Sequence, residues 1–123
     1  MNEQGIVALK VFAPAKDYDL STKFYQDLGF SVVWESPEVK EMKVGSYSFL
    51  LQNFYQEDLA NNFMLFLMVE DLDAWWQHIS ERRLTERYQG VKAKEPKDYP
   101  WGLREIHLID PSGILWHIAE LKK

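Results

Sequence analysis

Apolar and polar positions along the chain switch between a two-residue and a helical period, and they do so in the same order twice. Residues 6–13, IVALKVFA, are β-branched and aromatic enough for a strand, which Pro14 closes by removing a backbone donor. From Asp17, the run DYDLSTKFYQDLGF sets Leu20, Phe24 and Leu28 at helical spacing. Asp17 or Asp19 suits the N-cap of that helix, and Gly29 the left-handed position after its end. Strands are predicted at 31–35, 39–44 and 46–54, the last two joined through Gly45 and Ser46 as a tight hairpin. The first half therefore reads β-α-β-β-β.

The second half repeats that order. FMLFLMV at 63–69 predicts a strand, and EDLDAWWQHISERRL a helix carrying Leu72, Trp75, Trp76 and Ile79 toward the core. A shift of 54 positions lays Asp17 on Asp71, Asp19 on Asp73 and Lys10 on Met64. A basic, Pro-containing stretch from Thr85 to Pro100 follows, and then LREIHLI, the turn DPSG and ILWHIAEL form a closing hairpin. Pro111 suits its second turn position and Gly113 the one needing free φ. Repeat one (about 5–55) and repeat two (about 62–121) are each too small for a core of their own. The prediction is a single 1–123 domain of α+β class, two βαβββ repeats pairing mixed sheet around a pseudo-twofold cleft. Trp75 and Trp76 are adjacent on a helix and point about 100° apart, so one of them is expected to meet another subunit.

Composition narrows the function. With 46% hydrophobic and 27% charged residues the chain is an ordinary globular one, and the net charge of -5 opposes nucleic-acid binding. No run approaches the roughly 18–20 apolar residues of a membrane span, and MNEQGIVALK lacks a secretory pattern, so no membrane partner and a cytoplasmic address are expected. The absence of cysteine removes disulfides, thiolate metal sites and a thiol nucleophile. Aromatic residues make up 15% of the chain, five of them tryptophan, more than so small a core uses; some rings are expected to line a surface or a groove.

FYQDLGFSVVWE (24–35), FLMVEDLDAWW (66–76) and PWGLREIHLIDPSGILWHI (100–118) together resemble the vicinal oxygen chelate superfamily. That superfamily holds glyoxalase I, extradiol dioxygenases, fosfomycin-resistance transferases and bleomycin-resistance proteins, and the chain is most similar to the last. The metal-using members hold a metal with His, Gln or Glu from the first and last strand of each repeat. Carried over, those positions fall on Lys10, Leu50, Met64 and His117, of which His117 alone suits a divalent ion. The resemblance thus implies no metal, no cofactor and no catalytic residue. It implies instead a homodimer that sequesters a small molecule, cationic or aromatic, with bleomycin-like antibiotics as the model. Trp34, Phe54 and Trp101 are the expected ring contacts, with Glu35, Lys10 and His117 as polar ones. The alternative is a glyoxalase-like or dioxygenase-like metal-dependent lyase or oxidoreductase. His78 and His107 are expected on a helix face and a strand without chemistry.

Overall fold

The computed structural model describes residues 4–121, so the extreme ends of the expected 1–123 unit lie outside the described residues. The elements run β1 (Phe12–Pro14), α1 (Tyr18–Leu28), β2 (Ser31–Glu35), β3 (Val39–Val44), β4 (Tyr47–Gln52), α2 (Glu57–Asn61), β5 (Met64–Met68), α3 (Leu72–Glu81), α4 (Leu84–Arg87), β6 (Lys92–Asp98), β7 (Leu103–Ile109) and β8 (Leu115–Leu121). They build two four-stranded mixed sheets, β1-β4-β3-β2 and β5-β8-β7-β6. In each, the first strand of the repeat runs parallel to the last and the others pair antiparallel. This is the predicted α+β, twice-repeated arrangement.

The repeat extends to the caps. Asp17 accepts from the Leu20 amide at 3.1 Å and Asp71 from the Ala74 amide at 3.0 Å, each quenching an orphan donor of the first helical turn. Gly29 ends α1 at φ 124°, a conformation that a side chain rarely adopts.

The core draws on both halves. Phe24, Tyr25 and Leu28 of α1 are buried with Phe30, Phe49, Trp116 and Ile118. Within it, the Trp116 indole donates to the Tyr25 hydroxyl at 2.8 Å, and that hydroxyl donates to Asp110 Oδ2 at 2.6 Å. Asp110 Oδ1 accepts the amides of Ser112 and Ile114 at 2.8 and 2.9 Å, folding the DPSG turn around itself. Burial pushes the Asp110 carboxyl above its ordinary value even against these donors, and pushes the Tyr25 hydroxyl well above its own.

Three expectations are corrected. Of the predicted first strand, 6–13, only Phe12 and Ala13 pair, and Pro14, expected to close it, is the third paired residue; with Phe12 opposite Leu50, residues before Leu9 run past the start of β4 at Tyr47. The predicted helix through Leu84 breaks at Arg83, whose φ of 53° is left-handed, and α4 begins anew. The Pro-containing stretch includes a strand, β6, which tolerates Pro96 because it is an edge strand with an irregularity between Lys94 and Lys97. Trp75 and Trp76 both pack half-buried against the core as the helix pattern predicts, because α3 has neighbours on two sides: Leu28 and Val44 beside Trp75, Ala93 beside Trp76. No helix among the described residues is long and apolar enough to cross a membrane.

Tyr25→Phe keeps the ring but strips a partner from both the Asp110 carboxylate and the Trp116 indole. Leaving a buried polar group unpaired costs about 1–3 kcal/mol, so the urea midpoint of Tyr25→Phe is expected to fall accordingly. An unchanged midpoint refutes the structural role given to this link.

Candidate functional site

Alternation along each strand divides the sheets into a row that faces the core and a row that faces away. On β7, Ile106 and Leu108 are buried in the core, which turns Glu105 and His107 to the opposite face; on β8, Trp116 and Ile118 turn His117 the same way. Register then sets His107 opposite His117, and His117 beside Phe66 of β5. The outer row of the second sheet thus reads Lys94, His107, His117, Phe66.

Glu105 is the hub of this face. Its Oε1 accepts from His117 Nδ1 at 2.8 Å and His107 Nε2 at 2.9 Å, and its Oε2 accepts from the Trp101 indole at 2.6 Å. The carboxylate is only 2% exposed, although it stands beside an open surface. Burial pushes the Glu105 carboxyl up, but the hydrogen bonds from His117, Trp101 and His107 outweigh it and hold it below the ordinary 4.5. Aromatic rings extend the network: Tyr99 stacks on Trp101 at 4.8 Å and on His107 at 5.0 Å, and its hydroxyl lies 3.4 Å from His107 Nδ1. Above lies a concavity of about 320 Å³ lined by Met64, Leu65, Phe66, Trp101, Leu103, Glu105 and His117.

The matching row of the first sheet reads Trp34, Glu41, Leu50, Phe12, and its chemistry differs. Lys10 reaches Glu41 at 2.8 Å, and Ser48 donates to the same carboxylate oxygen at 2.8 Å. Hydrogen bonds from Lys10 and then Ser48 hold the Glu41 carboxyl below its ordinary value. Trp34 and Phe12 stand exposed at the two ends of the row. Glu35 is exposed opposite Lys40, and Phe54 is exposed just beyond β4.

The residues singled out in the sequence therefore fall into two groups. Trp34, Glu35, Lys10 and Phe54 belong to the first repeat, Trp101 and His117 to the second. Lys10 ends in an ion pair with Glu41 and His117 in a hydrogen bond to Glu105, so the two enter separate networks. The four superfamily metal positions do not fit a divalent ion: Lys10 is engaged by Glu41, Leu50 has no donor atom, Met64 offers a thioether, and His117 alone remains. Glu105, His107 and Tyr99 were not foreseen. The signal for the first two was available, because Glu-x-His in a strand puts both side chains on one face, and the DPSG hairpin leaves His107 and His117 at matching distances from the turn.

Two mixed sheets, one from each repeat, thus share one core and carry an aromatic, imidazole-bearing concavity on an outer face. The chain belongs to the Glyoxalase/Bleomycin resistance protein/Dioxygenase superfamily, whose family model matches residues 8–118. It is 25% identical over 112 residues to a bleomycin resistance protein of Klebsiella pneumoniae, covering 87% of this chain and 86% of that one. Among solved structures, a bleomycin-binding protein complexed with bleomycin superposes with a TM-score of 0.81 at 22% identity, over 95% of this chain and 100% of the other. A bleomycin resistance determinant encoded on the transposon Tn5 gives 0.82 at 21% identity, with the same coverage. At these identities the structural likeness establishes the fold.

Because the folded Glu105 carboxyl titrates below its unfolded value, its contribution to stability is complete above about pH 4.5 and is lost as pH falls through the lower folded value. Wild type is therefore expected to exceed Glu105→Gln in thermal midpoint at neutral pH, with the gap narrowing as the buffer is taken below pH 4.5. Parallel midpoints across that range contradict the assignment.

Proposed function

We propose that this chain binds an aromatic, cationic small molecule of the bleomycin class and protects by sequestration rather than by reaction. The observation that carries the reading is the open wall formed by Trp101 and Phe66 over the buried Glu105 carboxylate. Flat heteroaromatic rings stack on such a surface, and the Glu105 carboxylate beneath it favours a positively charged group. Binding of this kind needs no proton transfer and no bond cleavage. It therefore needs no metal at the four superfamily positions. The family membership and the bleomycin resistance relative support the same ligand class.

The active unit is a homodimer. Val7 and Leu9 are 98% and 92% exposed, and Phe12, Trp34, Met64, Phe66, Met68 and Trp101 leave further apolar surface open on the two outer faces. So much exposed apolar area is unusual for a monomer. A twofold pair that lays the first sheet of one copy over the second sheet of the other closes both faces into two equal grooves. Trp34 and Phe54 then join Trp101 along one groove, and Lys10, Glu35 and His117 line its polar side. We place this action in the cytoplasm, with no nucleic acid or membrane involved.

Titration of the purified protein with metal-free bleomycin, followed by tryptophan fluorescence, tests the reading. Saturable quenching at one ligand per chain is expected, and Trp101→Ala is expected to weaken binding roughly tenfold, as the loss of about 1.4 kcal/mol implies. A flat titration removes the bleomycin assignment. Sedimentation is expected to give a dimer for wild type and a monomer for Val7→Asp/Leu9→Asp; a wild-type monomer overturns the closed-groove arrangement.

A further inference from the structure

The four superfamily positions cannot hold a divalent ion, but the outer face of the second sheet offers a different donor set. Glu105, His107 and His117 each bring one ligand atom within 4.8 Å of the others, and Glu105 Oε1 lies 2.9 Å from His107 Nε2 and 2.8 Å from His117 Nδ1. They come from two neighbouring strands only: Glu105 and His107 are two apart on β7, and His117 is the cross-strand partner of His107 on β8. Sheet geometry brings such a trio together without any loop having to order. We propose that Glu105, His107 and His117 form a site for one late first-row divalent metal ion of the zinc, copper or nickel class, with its open coordination position facing the concavity beside Trp101.

The chemistry of the donors selects the ion. Two imidazoles and one carboxylate suit zinc, copper, nickel or iron(II), whereas calcium and magnesium require mainly oxygen ligands. Metal–ligand bonds of about 2.0–2.2 Å place tetrahedral donors roughly 3.4 Å apart. The existing separations of 2.8 and 2.9 Å from the carboxylate oxygen then need to widen by only about half an ångström. Side-chain rotation supplies that without moving the strands.

Outer partners hold the ligands in place. The Trp101 indole fixes the second oxygen of Glu105 at 2.6 Å. The Tyr99 hydroxyl stands 3.4 Å from His107 Nδ1, within reach to accept the Nδ1 N–H once the tautomer changes to present the Nε2 lone pair to a metal. To coordinate, each imidazole moves the proton it now directs at Glu105 to its other ring nitrogen, which frees the lone pair of the nitrogen that faces the metal. Three protein ligands and an open fourth position are the arrangement of a metal that meets an exogenous ligand rather than a purely structural one. The fourth position looks toward Met64, Phe66 and Leu103.

The first repeat cannot duplicate the site. Counting from the matched buried pairs, Met42 with Phe49 and Leu108 with Trp116, the positions of Glu105, His107 and His117 fall on Val39, Glu41 and Leu50. The stoichiometry is one ion per chain. The inference is independent of the ligand proposed above, since a flat bleomycin titration leaves the donor set intact.

The test uses the full, untagged chain, stripped with chelator and titrated with zinc in competition with a chromogenic chelator. Saturation at one zinc per chain is expected. His107→Ala and His117→Ala are each expected to weaken binding by at least ~100-fold, beyond the 10–100-fold that loss of an outer partner costs. Trp101→Phe is expected to fall within that smaller range, and His78→Ala, which lies on α3 with its imidazole on the Asp27 carbonyl, to bind as wild type. Circular dichroism melts establish that each variant is folded; because both histidines are partly exposed, their loss spares the core. No saturable binding by wild type overturns the proposal. So does binding that survives both His107→Ala and His117→Ala, which places the ion elsewhere.

Discussion

The buried run of donors from the Trp116 indole through the Tyr25 hydroxyl to Asp110 is the constraint on which the rest of the structure rests. Neither repeat contains all of it: the tyrosine is on the helix of the first, the carboxylate in the last turn of the second. Both repeats are too short to exclude water alone, and this run fixes how they share one interior. Tyr25, Phe30, Phe49 and Trp116 pack around it at ring separations of 5.0–5.8 Å, mostly edge to face. Since Asp110 also gathers the amides of the closing turn, the hairpin that positions His107 and His117 takes its register from the same carboxylate. The core and the outer face are therefore linked through one turn.

Electrostatics on the outer faces follows from how far each carboxylate is withdrawn from water. Glu41 stays partly exposed and is met by Lys10, a flexible cation that approaches from solvent. Glu105 is almost wholly covered, and its partners are three ring N–H groups fixed by strand geometry and stacking. A carboxylate lacking such donors at that depth would take up a proton. The hydrogen bonds instead hold it in its charged form at neutral pH, so a negative charge sits directly beneath an apolar opening.

Most of the fold was legible in the sequence, since period and turn chemistry spoke with one voice. Gly29, the Gly45–Ser46 turn, the DPSG turn and the paired caps Asp17 and Asp71 each stand where the pattern put them. What escaped had physical reasons. Pro96 masked β6 because a proline argues against a strand unless that strand is known to be an edge, which depends on the sheet and not on the segment. The predicted strand at 6–13 is rich in β-branched and aromatic residues, but pairing needs a neighbour, and for residues 6–8 β4 starts too late to supply one. At the candidate site, Trp101 and His117 were found from motif position, whereas Glu105 and His107 were passed over because their proximity arises across strands. Lys10, Trp34, Glu35 and Phe54 belong to the first repeat and Trp101 and His117 to the second, a division that motif position does not reveal.

The pairing of inner and outer rows bears on how the two halves have been free to change. Inward, the sheets hold counterparts of similar bulk, Met42 and Phe49 against Leu108 and Trp116, all buried. Outward, the same strands carry Glu41 and Leu50 in one half and two histidines in the other. Packing polices only the inward letters; the outward ones can be rewritten in one half without consulting the other. A scaffold of this kind behaves like a printed page with a fixed binding and an open margin, on which new recognition chemistries can be tried one half at a time while the interior reads the same.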